Sequence, residues 1–476
     1  MRPVAAPGIA FGTDGWRGRI ARELTFDSTM AVVDAMGAWT RAAANQDPGD
    51  PGTIVLVHDT RFLSPELAAE GAALLARRGF RVLLTDAPVP TPCASWHIRD
   101  AGLRAGIAIT ASHNPAEWNG VKYKAWFGGS APPETYAAVS RCAGSPLPDS
   151  PGGEVVKGDL RTPYRDGIAA AVDLAAIRSA GMNVLFDAMH GSAGTLLEEI
   201  VGADGTGGRT RVTSMRSSRD PLFGGVHPEP IPPHLDAASD EARRGAYDVV
   251  LASDGDGDRL GVLAPDGSFV TPHRILALLA ESLTRRGRIV PGVVKTFSTS
   301  LLVDRVAAGL GVPLHVTPIG FKYVAEKLLA GEAGIGGEES GGLGVSFFLP
   351  ERDGVFTSLL LLEAIALSGE SFSELLRRQD ATYGAFAYGR RDLRRPMDLL
   401  SEFVRGLAAS PPEAVAGERV TGVSDLDGIK LHFGDRGWLL HRLSGTEPLI
   451  RVYAEHEDPG SVQRLLDETE AKIRGL

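Results

Sequence analysis

Short apolar runs alternate with helical patterns along most of the chain, and this alternation restricts its fold more than any other feature. Residues 53–58 (TIVLVH) form a continuous apolar run of the length of a strand that is buried on both faces. Residues 64–79 follow with apolar side chains at helical spacing, after the helix-starting pair Ser64 and Pro65. The alternation predicts an α/β fold in which helices cover mixed or mainly parallel sheets.

Breaks in this alternation divide the chain into four units. Residues 144–153 (GSPLPDSPGG) are typical of a linker, and the basic segment 384–396 precedes the last unit. That unit has strand candidates at 428–433, 438–443 and 449–454 before a terminal helix, which indicates a smaller α+β domain. The first three units are predicted to be mixed α/β sheet domains. The predicted domains cover residues 1–150, 151–260, 261–375 and 376–476. A length of 476 residues agrees with three or four domains.

Composition excludes several classes of protein. Two cysteines, Cys93 and Cys142, are too few for a disulfide framework and indicate a reducing compartment. The N-terminus shows no signal-peptide pattern and no stretch is apolar enough for a membrane span, so we expect a cytoplasmic protein without a membrane partner. The net charge of −10 argues against a nucleic-acid partner. An anionic ligand would need cations concentrated at its site.

The strongest local motif is DGDGDR at residues 254–259, directly after a predicted buried strand. In α/β sheets, ligands bind at the carboxyl ends of strands. Asp254, Asp256 and Asp258 alternate with glycines that let the backbone fold tightly, so their carboxylates can converge on one hard cation. An EF-hand loop does not fit, because Arg259 stands where that loop needs glycine and Pro265 where it needs glutamate. The remaining alternative is a polar turn.

A second motif, TASHNP at residues 110–115, also follows a predicted strand. Ser112 lacks the glycine-flanked turn of an α/β-hydrolase nucleophile. A serine beside His113 is a structural turn in many proteins. Lys122, ten residues further on, adds a group that could shuttle a proton or contact a phosphate.

Of three further motifs, one is suited to a phosphate and one to sugar hydroxyls, each with a structural alternative, and the third is weak evidence by itself. RLSGTEP at 442–448, with Arg451 beyond it, combines cations, hydroxyls and a glycine amide as in a phosphate cradle, or forms a capped turn. GGEESGG at 336–342 could accept hydrogen bonds from sugar hydroxyls, or form a flexible loop. GTDGWRG at 12–18 exposes Arg17 between glycines.

Taken in order, FGTDGWRG, TASHNP, DGDGDR, GGEESGG and RLSGTEP resemble the five motif regions of the α-D-phosphohexomutase family. The resemblance covers residues 11 to about 453. It implies a four-domain architecture, three α/β domains followed by an α+β domain. The implied activity is the interconversion of hexose 1-phosphate and hexose 6-phosphate through a phosphoserine and a sugar 1,6-bisphosphate. The implied cofactors are Mg²⁺ and glucose 1,6-bisphosphate, the latter as intermediate and activator.

The resemblance also assigns roles to individual residues. Ser112 corresponds to the phosphorylated serine, and the loop at 317–322 is a looser match to a sugar-recognising loop. The implied catalytic residues are Ser112, Lys122, His113, Arg259 and Arg17. The implied metal ligands are Ser112, Asp254, Asp256 and Asp258. The implied substrate-binding residues are Gly320, Lys322, Glu338, Ser340, Arg442, Ser444, Gly445, Thr446 and Arg451.

Several readings of the substrate stay open. Glu338 and Glu339 resemble members acting on glucose phosphates, so a phosphoglucomutase is the first expectation, acting on a phosphorylated hexose as monomer or homodimer. Phosphomannomutase, dual-specificity and phosphoglucosamine mutase activities are the alternatives, beside a non-catalytic phosphosugar-binding protein or a metal-dependent phosphatase. One departure stands out: some members have histidine at the end of the sugar loop, where this chain has Gly342.

Overall fold

The computed structural model describes residues 11–12, 14–42, 44–202, 208–445 and 448–476. Within them the chain forms four successive units, each with its own sheet. The first three sheets are mixed, with parallel strands at their centres, and the fourth is antiparallel. The predicted fold class is therefore confirmed, since three mixed α/β units precede an α+β unit.

The first unit has six strands in the order β1-β5-β4-β2-β3-β6. The apolar run predicted at 53–58 lies in β2, which pairs in parallel with β3 and β4 and is buried along most of its length. The elements of this unit are β1 (Trp16–Arg19), α1 (Phe26–Arg41), β2 (Asp50–His58), α2 (Ser64–Arg77), β3 (Arg81–Thr85), α3 (Thr91–Asp100), β4 (Leu103–Ile109), β5 (Trp118–Ala125), α4 (Pro133–Cys142) and β6 (Glu154–Gly158).

The second unit has five strands in the order β11-β10-β9-β7-β8. Its central strands β7 and β9 are parallel, and β9 carries the DGDGDR motif at its carboxyl end. The elements are α5 (Arg161–Ala170), α6 (Leu174–Ser179), β7 (Asn183–Asp187), α7 (Leu196–Val201), β8 (Arg211–Met215), α8 (Asp236–Arg244), β9 (Val249–Ser253), β10 (Leu260–Leu263) and β11 (Phe269–Val270).

The sheets continue beyond two of the predicted domain boundaries. Strand β6 lies after residue 150, yet it pairs in parallel with β3 of the first sheet. Strands β10 and β11 extend the second sheet past residue 260 through antiparallel pairing with β9. The segment 144–153, rich in proline and glycine, is typical of a linker, but in this fold it returns the chain to the edge of the same sheet.

The third unit has four strands in the order β13-β12-β14-β15. Its helix α12 is rich in apolar residues and buried over most of its length. The N-cap is Asp353, whose side chain accepts a hydrogen bond from the backbone N–H of Phe356. The elements are α9 (Pro272–Arg285), β12 (Val293–Thr296), α10 (Leu301–Leu310), β13 (Leu314–Thr317), α11 (Phe321–Leu329), β14 (Ile335–Gly337), β15 (Leu343–Val345), α12 (Gly354–Ser368) and α13 (Phe372–Tyr383).

The fourth unit has an antiparallel sheet in the order β16-β22-β21-β20-β19, and a two-stranded ribbon of β17 and β18. Helices α14 and α15 supply apolar side chains to its core. The elements are β16 (Ala387–Arg394), α14 (Met397–Ala409), β17 (Ala414–Val415), β18 (Glu418–Arg419), β19 (Gly422–Ser424), β20 (Ile429–His432), β21 (Gly437–Leu443), β22 (Leu449–His456) and α15 (Pro459–Arg474).

Among the described residues, no single helix is long and apolar enough to cross a membrane; α12 and α13 meet that test only as a pair, bent by 83° at their junction.

Candidate active site

Ser112 lies in a tight loop just after β4, and this loop is fixed by buried polar contacts. Its φ of +55° is a left-handed conformation that costs a non-glycine residue energy and must be held by its surroundings. The backbone N–H of Ser112 donates to Thr110 Oγ1 at 2.8 Å, and Arg61 donates to the carbonyls of Ser112 and Asn114 at 2.5 and 2.6 Å. Asp59 holds Arg61 in turn at 3.2 Å. The backbone of Ser112 is thereby held in place from both sides.

The DGDGDR loop lies directly against Ser112. Ser112 Oγ donates to Asp254 Oδ2 at 3.0 Å. Gly255 permits this approach, because a Cβ there would lie 2.7 Å from the carbonyl oxygen of Ser112. The TASHNP motif follows β4 of the first unit and the DGDGDR motif follows β9 of the second, and together they form one site at the carboxyl ends of these strands.

The three aspartates of this loop fit a divalent cation. One carboxylate oxygen from each of Asp254, Asp256 and Asp258 lies within 4.8 Å of the others, and all three residues are buried. Asp256 Oδ1 and Asp258 Oδ1 have no hydrogen-bond partner, which is rare for buried oxygens and leaves them available as ligands. Burial and the neighbouring carboxylates raise the pKa of Asp254 well above its usual range. An all-oxygen set with this excess of negative charge suits Mg²⁺.

Lys122 is held among carboxylates on the other side of the loop. Its Nζ lies 2.8 Å from Asp256 Oδ2 and 3.1 Å from Asp14 and Asp258. Burial opposes the charged amine, yet these three carboxylates raise the pKa of Lys122 above its ordinary value. Lys122 is therefore a fixed positive charge beside Asp14, Asp256 and Asp258.

The other predicted catalytic residues surround the same serine. His113 Nδ1 lies 3.3 Å from Ser112 Oγ, and burial together with Arg259, Arg17 and Lys122 holds the pKa of His113 well below its usual range, so the imidazole is neutral. Arg17 donates to Asn114 Oδ1 at 2.8 Å. Arg259 pairs with Glu229 at 3.3 Å and is largely buried. Ser112 thus lies between one carboxylate cluster and several cations.

The predicted sugar loop follows β14 and lies close to these carboxylates. Glu338 is buried, and this burial raises its pKa to about 7. Ser340 is half-buried in the same loop. Gly320 and Lys322 lie at the start of α11, and burial lowers the pKa of Lys322. The ring of Phe321, the first residue of α11, lies 5.7 Å from the guanidinium carbon of Arg352, so this end of the helix lies near the carboxylate cluster that Arg352 contacts.

The predicted phosphate loop lies in the fourth unit. Arg442 on β21 and Arg451 on β22 are direct cross-strand neighbours, an unfavourable arrangement unless anions lie between or beside them. Arg442 donates to Asp427 Oδ1 at 2.9 Å, and Arg451 lies 3.6 Å from Asp392. Ser444 is buried and Gly445 is exposed at the end of β21. The predicted Thr446 lies outside the described residues.

Sequence reasoning missed several residues of this site. Asp14 lies inside the GTDGWRG motif, but from that motif the sequence indicated only Arg17 as a site residue. Arg61 orders the serine loop through backbone carbonyls, which leave no pattern in the sequence. Arg352 contacts Asp14 and Asp258. Its only sequence signal is the charged ERD triplet before an apolar helix.

A hydroxyl beside a buried carboxylate triad, ringed by fixed cations, defines a site for metal-assisted phosphoryl transfer. Comparison with known proteins agrees. The four family models of phosphoglucomutase/phosphomannomutase match in order: the α/β/α domains I, II and III at residues 8–145, 162–267 and 271–383, and the C-terminal domain at 407–472.

Full-length relatives give the same result. A phosphoglucosamine mutase of Rubrobacter xylanophilus is 32% identical, covering 96% of both chains. A phosphoglucomutase/phosphomannomutase of Thermococcus kodakarensis is 30% identical, covering 97% of both. The crystal structure of a putative phosphomannomutase from Thermus thermophilus superposes with a TM-score of 0.85 at 35% identity, covering 98% of this chain and 99% of that one. The chain belongs to the phosphoglucomutase/phosphomannomutase family, the α-D-phosphohexomutases, which are Mg²⁺-dependent isomerases.

Proposed function

We propose that this enzyme interconverts glucose 1-phosphate and glucose 6-phosphate, with Ser112 as the residue that carries the phosphoryl group. The observation that carries the proposal is the position of Ser112 Oγ, 3.0 Å from Asp254 at the edge of the buried triad. A hydroxyl there can receive a phosphoryl group whose oxygens face a cation site.

The reaction runs in two transfers. The phosphoryl group of phosphoserine 112 passes to the O6 hydroxyl of the hexose 1-phosphate; the P–Oγ bond breaks, the P–O6 bond forms, and the O6 proton ends on the freed Ser112 Oγ. The product is the 1,6-bisphosphate and free Ser112. After the sugar turns over, the C1 phosphoryl group passes back to Ser112 Oγ, and a proton returns to O1. The free hexose 6-phosphate leaves.

The residues around Ser112 supply charge rather than covalent chemistry, as phosphoryl transfer requires. Asp254, Asp256 and Asp258 would hold Mg²⁺, which neutralises charge on the transferring group when bound. Lys122 carries a stable positive charge, held by three carboxylates, and would offset negative charge on the transferring group. Arg17 and Arg259 add positive charge on the serine side of the cluster.

The two ends of the sugar need similar binding, because the bisphosphate presents either phosphate to Ser112. Arg442 and Arg451 would hold the phosphate that is not reacting, with Ser444 and the Gly445 amide as hydrogen-bond partners. An intermediate that escapes leaves Ser112 without its phosphoryl group. We therefore propose glucose 1,6-bisphosphate as the activator that restores it.

Glu338 and Glu339 would accept hydrogen bonds from the sugar hydroxyls. We place glucose first because both positions are acidic, and mannose phosphate or dual activity second. Glucosamine phosphate is a further candidate, which the name of the Rubrobacter relative favours. Binding of the sugar between the third and fourth units implies that the fourth unit moves to admit and release it.

The test is a coupled assay of the purified enzyme with Mg²⁺ and a trace of glucose 1,6-bisphosphate, on glucose, mannose, glucosamine and N-acetylglucosamine 1-phosphates. We expect the highest kcat/KM for glucose 1-phosphate and near-complete loss of activity in Ser112→Ala. A higher kcat/KM for glucosamine 1-phosphate would refute the glucose assignment. Wild-type turnover in Ser112→Ala, or release of free phosphate, would refute the phosphoserine mechanism.

A further inference from the structure

Residues 351–353, which precede α12, and Gly354, its first residue, contact the first and second units one residue after another. Glu351 Oε2 accepts hydrogen bonds from Lys124 Nζ at 2.5 Å and from Ser130 Oγ at 3.0 Å, both in the first unit. Asp353 Oδ2 accepts from the hydroxyl of Tyr164 in the second unit at 2.8 Å. The position of Arg352 is thus fixed on both sides by buried contacts.

The backbone also ties this segment to the metal loop. The N–H of Gly354 donates to the carbonyl of Gly257 at 2.9 Å. A movement of this segment would therefore move the loop that carries the three aspartates.

Arg352 itself joins acidic groups from three units. Its Nη2 lies 2.6 Å from Asp14 Oδ2 in the first unit and 3.0 Å from Asp258 Oδ2 in the second. Its Nη1 lies 3.8 Å from Glu338 Oε2 in the sugar loop of its own unit. The residue is only 7% exposed. A planar guanidinium can address several carboxylates at once, whereas a lysine ammonium is a point charge on a flexible stem.

Gly342 lies against the stem of this arginine. A Cβ at position 342 would lie 2.4 Å from Arg352 Cδ and 2.9 Å from its Cγ. These atoms belong to the middle of a side chain whose two ends are both held, so they cannot move aside freely. Any residue other than glycine at 342 must displace Arg352.

We propose that Arg352 is a positioning residue that fixes the sugar loop relative to the aspartate cluster, and that Gly342 is its obligatory partner. The inference rests on the proposed function, in which Glu338 grips the sugar while Ser112 and the aspartates act on the phosphoryl group. Through its contacts with Glu338 and Asp258, Arg352 sets the distance between the carboxylate that binds the sugar and the aspartates at the site of phosphoryl transfer. Neither residue needs to touch the reacting atoms for this role.

The experiment is a double-mutant cycle on kcat with Gly342→Ala, Arg352→Met and the double variant. We expect Arg352→Met to lower kcat by about 10²-fold, the loss that a misplacement of about 1 Å can cause. Gly342→Ala should lower kcat by about 10-fold, and the double variant should match Arg352→Met within about 3-fold, because the added methyl then has no arginine to displace. A loss in the double variant equal to the product of the two single losses would overturn the pairing.

Two further variants separate positioning from a structural role. Arg352→Lys keeps the charge and the stem, and should retain the wild-type melting temperature while kcat stays at least about 10-fold low. A fully active Arg352→Lys would overturn the positioning role. Arg286→Met is the matched control: it breaks another arginine pair of the third unit, with Glu363 at 2.7 Å, and should leave kcat unchanged.

The outcomes also distinguish this inference from the proposed function. A wild-type enzyme that turns over none of the four sugar phosphates would refute the proposed function and the positioning role with it. The steric pairing of Gly342 and Arg352 would then still be decided by the same cycle in the melting temperature, where additive shifts would refute it.

Discussion

Lys124→Met is expected to weaken the docking of the first unit on the third, because Lys124 forms a buried ion pair with Glu351. Both side chains are fully buried and 2.5 Å apart. Without the lysine, the Glu351 carboxylate keeps the hydroxyl of Ser130, the N–H of Arg352 and, more distantly at 3.6 Å, the Nε of Arg352 as partners among the described residues. Removing one partner of a buried pair costs about 3–5 kcal/mol. For a domain of about 150 residues, the size of the first unit, this loss of stability lowers the melting temperature by on the order of 10 °C.

The assay is thermal unfolding of the purified enzyme, followed by tryptophan fluorescence and by calorimetry. Lys124→Met/Glu351→Leu should recover much of the loss, since an apolar pair of similar volume needs no desolvated charge. Arg81→Met is the matched control: its pair with Glu154 joins strands of the same sheet at 2.9 Å but is exposed, so the cost should stay below about 1 kcal/mol. The reasoning is refuted if Lys124→Met is as stable as Arg81→Met, or if the double variant is the least stable.

Three other predictions concern the site itself. Asp256→Asn should weaken Mg²⁺ binding by at least about 10-fold in calorimetric titration, because loss of a group that only hydrogen-bonds to a metal ligand already costs about that much. Unchanged affinity would contradict the metal assignment. Arg442→Ala should raise KM for the sugar phosphate by about 10- to 100-fold, the value of a charge-assisted hydrogen bond, with a smaller change in kcat; a normal KM would place the cradle elsewhere. Since burial raises the pKa of Glu338 to about 7, protonation below that pH removes its hydroxyl-binding carboxylate, so KM should rise up to about 10-fold from about pH 8 to about pH 6, and a Glu338→Gln variant should lack this dependence.

The sequence predicted the parts of the molecule that local patterns encode. The apolar run in β2 and the placement of Ser112 and Asp254 after strands β4 and β9 were readable, because strand burial and loop composition act over a few residues. The two domain boundaries at 150 and 260 were not, because the pairing of β6 with β3 and of β10 with β9 depends on the tertiary fold.

The missed site residues have the same cause. The contact of Arg352 with Asp14 joins residues 338 positions apart, and no local pattern encodes it. Gly342 differs from the histidine of some family members. The structure explains the glycine, because a Cβ there would overlap the side chain of Arg352. The sequence indicated Lys122 as a proton shuttle or a phosphate contact, and the three carboxylates that pair with its ammonium come from two other motifs.

The central claim is that Ser112 carries the phosphoryl group between the two ends of the sugar. The most direct measurement is intact-mass and peptide mass spectrometry of the enzyme after incubation with glucose 1,6-bisphosphate and Mg²⁺, with Ser112→Ala as control. The account predicts one added phosphoryl group, located on Ser112, which is lost to glucose 1-phosphate or glucose 6-phosphate when either is supplied. An unmodified Ser112 in an enzyme that turns over, or a phosphoryl group on another residue, would contradict it.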